Sequence, residues 1–224
     1  MKLYYLWYFK PGEKNKIHPL VLDHNAKFAK THEIVGPDEI LALLHRHNPA
    51  VVDVYTRLPK WVVKSDFARL ALIYYKGGVY SDADCLIRKL PAPPPNAKVI
   101  LFTEKICKSL DELGPKELKT PDSVVRVANY FFIGAKGHPF FKDCLEECVR
   151  RASLISALIT EQDILWVCGP DVITTMYHKL KHKYPDVYLH DTSYLHHMHE
   201  GGWTSTPKNL NHQSIIHEIK LGRI

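Results

Sequence analysis

The chain alternates between short apolar runs of strand length and longer runs of helical composition. The strand-length runs cover residues 3–9, 32–35, 79–84, 99–103, 127–133 and 187–189. One helix is predicted to begin after Asp38, which we interpret as its N-cap. Other helices are predicted at residues 61–76, 139–152 and 172–183, where Pro and Gly are confined to the ends. Strands that alternate with helices indicate an α/β fold with a mostly parallel central sheet flanked by helices.

The predicted helix 61–76 leads directly into a glycine pair and an acidic segment. It ends at Gly77-Gly78, and the C-terminus of a helix favours a residue that can adopt left-handed backbone angles. We interpret residues 79–84 as a strand, which places Tyr80, Asp82 and Asp84 on one face. Because α/β sheets bind ligands beyond the carboxyl ends of their strands, we predict a ligand site here.

Asp82 and Asp84 have the chemistry of a divalent metal site. On an extended strand their side chains would lie roughly 7 Å apart, and two carboxylates at that distance repel each other unless a cation lies between them. Carboxylate oxygens suit Mg²⁺ or Mn²⁺. Two carboxylates leave coordination positions open, and the oxygens of a diphosphate could fill them.

Asp66 and Arg69 lie three residues apart on the preceding helix and therefore share a face. One interpretation is a simple ion pair between the two side chains, which on an exposed helix would contribute only a few tenths of a kcal/mol to stability. The rest of this helix is strongly apolar, so a second interpretation is that the two side chains hold the hydroxyls of a sugar, one accepting and the other donating hydrogen bonds.

Residues 64–84 resemble the sugar-binding region containing the DXD motif of glycosyltransferase family 32. The family pattern is approximately A-S-D-x-x-R-x-x-x-L-x-x-x-G-G-x-Y-x-D-x-D, and Lys64 stands where the family has Ala. Further segments similar to the family are Leu6-Trp7, Asn129 with His138-Pro139, Gly169-Pro170, and residues 196–203, in which Gly202 replaces a usual Ser.

The resemblance implies one domain over residues 1–224 with the GT-A (Rossmann-like) fold. It implies a retaining glycosyltransferase that moves a hexose from a UDP-sugar, or alternatively a GDP-sugar, to a hydroxyl of a glycan or glycoconjugate, with Mn²⁺ or Mg²⁺. The metal ligands would be Asp82, Asp84 and His197, with His199 as second choice. Asp66 and Arg69 would hold the donor sugar, and Asn129 would lie near the anomeric carbon. The other contacts with the nucleotide sugar would come from Tyr5, Leu6, Trp7, Gly78, Tyr80, Asp82, Gly169, Pro170 and Trp203.

Composition and charge indicate which binding partners and which cellular compartment to expect for this protein. The formal net charge is +6, but the basic residues are scattered and form no arginine-rich or aromatic-interleaved motif, so no nucleic-acid partner is expected. The five cysteines are odd in number and contain no CxxC pair, which fits a reducing compartment. No apolar run is long enough to span a bilayer. We therefore expect a cytoplasmic protein, in a free-living cell or in a host, or one peripheral to a membrane surface.

Two other functions are compatible with these residues. A glycoside hydrolase could use Asp82 and Asp84 as acid and nucleophile, although such carboxylates normally come from different strands. The other is a sugar-binding or nucleotide-binding module whose catalytic site has decayed, although the intact set of Asp66, Arg69, Asp82 and Asp84 speaks against decay.

Overall fold

The structure is a computed structural model that describes residues 1–8, 17–108, 125–155 and 160–198. Its helices are α1 (Pro19–Ala26), α2 (Pro37–His47), α3 (Val52–Arg57), α4 (Trp61–Lys76), α5 (Pro139–Ala152), α6 (Glu161–Val167) and α7 (Pro170–Leu180). Its strands are β1 (Lys2–Leu6), β2 (Thr31–Val35), β3 (Gly78–Ser81), β4 (Cys85–Ile87), β5 (Val99–Ile106), β6 (Val125–Val127), β7 (Phe131–Gly134), β8 (Val187–His190) and β9 (Leu195–His197). Within these residues, no helix has the length and hydropathy needed to cross a bilayer.

The described strands form one large sheet and one small one. The seven-stranded sheet has the order β2-β1-β3-β7-β5-β6, and β8 pairs with β5. β1 is parallel to β2 and β3, and β8 is parallel to β5. β7 is antiparallel to both β3 and β5, and β6 is antiparallel to β5. Only β6 and β7 therefore oppose the common direction within this described sheet, which confirms the predicted mostly parallel α/β fold. β4 and β9 form a separate antiparallel pair.

The sheet separates two apolar layers. Along β1, Tyr4 and Leu6 face the larger layer with Phe67 of α4, while Leu3 and Tyr5 face the smaller layer near β4. This alternation follows from the two-residue period of a strand. The sheet is thus buried on both faces, and polar side chains gather where its strands end.

The glycine pair after α4 permits the return of the chain into the sheet. Gly77 and Gly78 have φ angles of 69° and 117°, a region that side chains other than glycine rarely adopt. A Cβ on Gly78 would lie 2.7 Å from the carbonyl oxygen of Lys2. The close approach of β3 to β1 therefore requires glycine at this position.

Two predicted helices have the predicted bounds, and other predicted bounds are wrong. The helices at 61–76 and 139–152 are confirmed as α4 and α5. The predicted strand 127–133 is two strands, β6 and β7, separated by residues 128–130. Asp38 does not cap α2, because Gly36 is the N-cap and Pro37 is the first helical residue. The helix predicted at 172–183 begins at Pro170 and ends at Leu180.

Candidate functional site

The acidic segment after β3 is a turn, which corrects the strand predicted at 79–84. β3 ends at Ser81, and the backbone N–H of Cys85 donates to the carbonyl of Asp82 at 3.1 Å. The backbone N–H of Asp82 donates to the carbonyl of Tyr130 at 2.8 Å, which anchors the turn next to β7. The prediction placed Asp82 and Asp84 along an extended face, whereas the turn draws the two residues together.

Two carboxylates and an imidazole meet at this turn. β9 places His197 opposite Cys85, and its Nε2 lies 3.2 Å from Oδ1 of Asp84. One ligand atom each from Asp82, Asp84 and His197 can be chosen so that all three lie within 4.8 Å of one another. The two carboxylates suit Mn²⁺ or Mg²⁺, and the imidazole adds a nitrogen donor, which a transition metal such as Mn²⁺ accepts more readily than Mg²⁺. The structure thus brings the three predicted metal ligands together, while His199 and Trp203 lie outside the described residues.

The electrostatic state of His197 reflects the two carboxylates. Burial alone would lower the pKa of this imidazole, but its hydrogen bond with Asp84 and the charges of Asp84 and Asp82 together raise it. The ring also stacks on Tyr130 with a centroid distance of 3.8 Å and an interplanar angle of 19°. A metal ligand must be unprotonated, so metal binding at this site releases any proton held by His197.

Arg69 lies at the centre of a buried polar network. Its Nη2 is 3.0 Å from Oδ1 of Asp66, and its Nη1 is 3.3 Å from Oδ1 of Asp82. Nη1 also donates to the carbonyl of Asn129 at 2.8 Å, and the guanidinium lies 5.0 Å from the centroid of the Tyr80 ring. Burial alone would lower the pKa of Arg69, but its anionic neighbours raise it. The Asp66–Arg69 pair is therefore not a simple surface ion pair. Arg69 is buried and also contacts Tyr80, Asp82 and the backbone of Asn129.

Asn129 and Tyr80 complete this network. The amide of Asn129 donates from Nδ2 to Oδ1 of Asp66 at 2.9 Å, and the hydroxyl of Tyr80 donates to Oδ1 of Asp82. Within the described part of the chain, the buried Nε of Arg69 and Oδ1 of Asn129 have no hydrogen-bond partner. Buried polar atoms are nearly always hydrogen-bonded, and a polar ligand such as a sugar hydroxyl could satisfy these two.

Asp66 is difficult to ionise in this environment. Burial raises the pKa of its carboxyl to about 6, against the opposing effect of Arg69 and with a further increase from Asp82. Burial likewise raises the pKa of Asp82. A carboxyl whose pKa is higher in the folded chain than in the unfolded chain favours folding at low pH, and that contribution is lost as the pH rises through the folded value.

We expect the substitution Asp66→Asn to alter how stability depends on pH. Asn does not titrate, so the variant lacks the penalty that the wild-type chain acquires on ionising Asp66 between pH about 4 and about 6. The free energy of unfolding of the variant relative to wild type should therefore rise over this interval, by an amount on the order of 2 kcal/mol. Urea denaturation of both metal-free proteins at several pH values measures this difference, and parallel pH curves would contradict it.

The residues predicted to contact the nucleotide occupy different environments. Trp7 lies just after β1, is partly buried and packs against the smaller core layer. Tyr5 has no exposed surface, and its hydroxyl accepts a hydrogen bond from Asn25, while Leu6 packs in the larger core layer. Gly78 is required by sheet packing. Gly169 and Pro170 begin α7, where a Cβ on Gly169 would lie 2.8 Å from the carbonyl oxygen of Leu165.

Three side chains near the site were not predicted. Tyr130 supports the ring of His197, and Glu104 influences the charge of the same imidazole. Tyr8 hydrogen-bonds Tyr55 through its hydroxyl and interacts electrostatically with Arg69. The adjacency of Tyr130 to Asn129 was the only sequence signal for these residues.

Comparison with known proteins identifies the segment that holds most of this site. Residues 21–117, which include Asp66, Arg69, Asp82 and Asp84, match the family described as the glycosyltransferase sugar-binding region containing a DXD motif. This segment, which is less than half of the chain, is similar to the sugar-binding region of the DXD glycosyltransferases. The resemblance predicted from residues 64–84 is thereby confirmed.

Two known glycosyltransferases are similar to this chain, one in sequence over a short segment and one in fold. HOC1 of Saccharomyces cerevisiae, whose name places it among the glycosyltransferases, is 36% identical over 56 residues, which are 24% of this chain and 14% of HOC1. The chain therefore spans only a small part of the length of that relative. The solved structure of the PaToxG glycosyltransferase superposes with a TM-score of 0.51 and 17% identity, and the match covers 82% of this chain and 69% of that one. This likeness supports the GT-A fold.

Proposed function

We propose that this chain is a metal-dependent, retaining glycosyltransferase. It transfers a hexose from a nucleoside diphosphate sugar, with UDP favoured over GDP, to a hydroxyl of a glycan or glycoconjugate. The observation that carries the proposal is the cluster of Asp82, Asp84 and His197 beside the buried Asp66–Arg69–Asn129 network. The cluster suits a metal ion that binds a diphosphate, and the buried network suits a sugar. A nucleotide sugar contains both a diphosphate and a sugar.

The residues of the turn would hold Mn²⁺ or Mg²⁺ and the diphosphate of the donor. When bound, the cation offsets the negative charge that develops on the departing diphosphate. Tyr80 and Arg69 fix the carboxylate of Asp82, and His197 lies within ion-pair distance of Asp84. The site is thus largely formed before a ligand binds, which reduces the ordering required during the reaction.

The buried network would orient the donor sugar. Nε of Arg69 can donate to a sugar hydroxyl, and Oδ1 of Asn129 can accept from one, because neither atom has a described protein partner. Asp66 is already bonded by both Arg69 and Asn129, which disfavours its use as a covalent nucleophile. Retention by attack on the face from which the diphosphate departs is therefore part of the proposal.

Calorimetry with UDP and GDP, each with and without Mn²⁺, tests the proposal. We expect the favoured nucleotide to bind at least about ten-fold more tightly with Mn²⁺, because the cation links its phosphates to Asp82 and Asp84. A screen of common nucleotide sugars should then detect donor hydrolysis or transfer, and NMR of the first product should show the anomeric configuration of the donor. Nucleotide binding without turnover would indicate a binding module, and cleavage of a simple glycoside without nucleotide would indicate a hydrolase.

A further inference from the structure

The small β4–β9 sheet contains one proposed metal ligand, His197, and directly follows another, Asp84. β4 begins directly after Asp84, and its first residue, Cys85, is in register with His197 of β9. The backbone N–H of Met198 also donates to the carbonyl of Asp84 at 2.9 Å. The position of β4 therefore governs where both Asp84 and His197 lie. A pair of three-residue strands is not stable by itself and needs support from another element.

Helix α1 provides that support through a buried asparagine. Asn25 has no exposed surface, its Nδ2 donates to the carbonyl of Cys85 at 2.8 Å, and its Oδ1 accepts from the backbone N–H of Ile87 at 2.9 Å. The neighbouring His24 donates from Nε2 to the carbonyl of Ile87, also at 2.8 Å. These two side chains satisfy backbone groups of β4 in the way that a further strand would.

The same asparagine links β4 to the central sheet. Nδ2 of Asn25 also donates to the hydroxyl of Tyr5 on β1 at 3.0 Å, and Tyr5 is fully buried. Both amide hydrogens and the amide oxygen of Asn25 are thus engaged by two different strands. No other amino acid of this size offers two donors and an acceptor on one planar group.

We propose that Asn25 is a positioning residue for the metal centre. By fixing the backbone of β4 against α1 and β1, it sets the separation between the carboxylate of Asp84 and the imidazole of His197. This inference rests on the proposed metal site and adds a residue, 57 positions before Asp82 in the chain, through which that site is assembled.

Mn²⁺ binding to the full chain tests the role of Asn25 without requiring a known substrate. Calorimetry gives the affinity for Mn²⁺, and pulsed electron paramagnetic resonance detects the nitrogen coupling of an imidazole bound to Mn²⁺. The variants are Asn25→Ala, the isosteric Asn25→Asp, and His197→Ala as a reference for a missing imidazole. The matched control is Thr174→Val, because the buried Oγ1 of Thr174 on α7 similarly accepts from a strand backbone, the N–H of Val127, at 3.0 Å.

Wild type should show the nitrogen coupling, and His197→Ala should lack it. Both Asn25 variants should bind Mn²⁺ about 10- to 100-fold more weakly and show a reduced nitrogen coupling, as is typical when a residue supporting a metal ligand is removed. Thr174→Val should remain within about two-fold of wild type, even where its thermal midpoint falls as far as that of an Asn25 variant.

Three results would overturn the inference. If folded Asn25→Asp has the wild-type affinity for Mn²⁺ and the wild-type nitrogen coupling, then Asn25 does not position the metal ligands. The proposed function would be unaffected by that result. An equal loss in Thr174→Val would show a general effect of destabilisation. Failure of wild type to bind Mn²⁺ through a nitrogen ligand would overturn the His197 metal site itself. If Asn25→Ala does not fold, the isosteric Asn25→Asp decides the question.

Discussion

Replacement of Asp84 by Asn should abolish metal-dependent binding of a nucleoside diphosphate. A neutral amide is a much poorer ligand than a carboxylate for Mn²⁺ or Mg²⁺. Loss of a group that only supports a ligand typically weakens metal binding about 10- to 100-fold, so loss of a ligand should weaken it by more than about 100-fold. Calorimetric titration of UDP in the presence of Mn²⁺ measures the effect.

The free energy of unfolding without ligand should change little in Asp84→Asn. The side chain is 17% exposed, and its pairing with His197 at 3.2 Å faces solvent in part. Burial and the charge of Asp84 both raise the pKa of Asp82, so loss of this pairing is offset in part by relief of the repulsion between the two carboxylates. The expected cost is therefore about 1 kcal/mol or less. Asp38→Asn is a suitable control, because Asp38 is an exposed carboxylate on α2 and should leave nucleotide binding unaltered. Unchanged affinity for UDP and Mn²⁺ in Asp84→Asn would refute the metal role.

The local sequence pattern correctly predicted the helices whose ends are marked by glycine or proline. Helix α4 is bounded by Gly77-Gly78 and α5 begins at Pro139, so their limits can be read from the residues themselves. The break between β6 and β7 could not be predicted, because residues 128–130, Ala-Asn-Tyr, contain no Pro or Gly to mark the end of a strand. The carbonyl of Asn129 is bonded by Arg69, which lies 60 residues earlier in the chain.

The candidate site was predictable where its residues are close in sequence. Asp66, Arg69, Asp82 and Asp84 fall within 19 consecutive residues and form part of a recognisable motif. Their detailed geometry was not predictable, because the two-residue period of a strand does not indicate that β3 ends at Ser81. The support from Asn25 was not predictable either, since it depends on backbone groups that a sequence does not distinguish.

Replacement of Arg69 by Met should affect both stability and donor binding. The guanidinium pairs with Asp66 and Asp82 and donates to the carbonyl of Asn129, and its side chain is only 8% exposed. Removing one member of a buried ionic network leaves uncompensated charge and costs about 3–5 kcal/mol. Urea denaturation at neutral pH should show a loss of this size. Nucleotide-sugar binding should also weaken, because the neighbouring carboxylates lose the group that orients them.

The pH dependence of this loss distinguishes its electrostatic cause from a packing defect. Without Arg69, the pKa values of Asp66 and Asp82 in the folded chain should rise further above their unfolded values. Such groups favour folding at low pH and lose that contribution as the pH rises, so the deficit of Arg69→Met relative to wild type should be larger at about pH 7.5 than at about pH 5. Adding Asp66→Asn to this variant should recover part of the deficit at the higher pH, since one buried charge is removed. Met fills a volume similar to that of the arginine stem, and a packing defect would lower stability equally at both pH values. Equal losses at the two pH values, with no recovery in the double variant, would contradict the assignment of Arg69 as the cation that holds the two carboxylates in place.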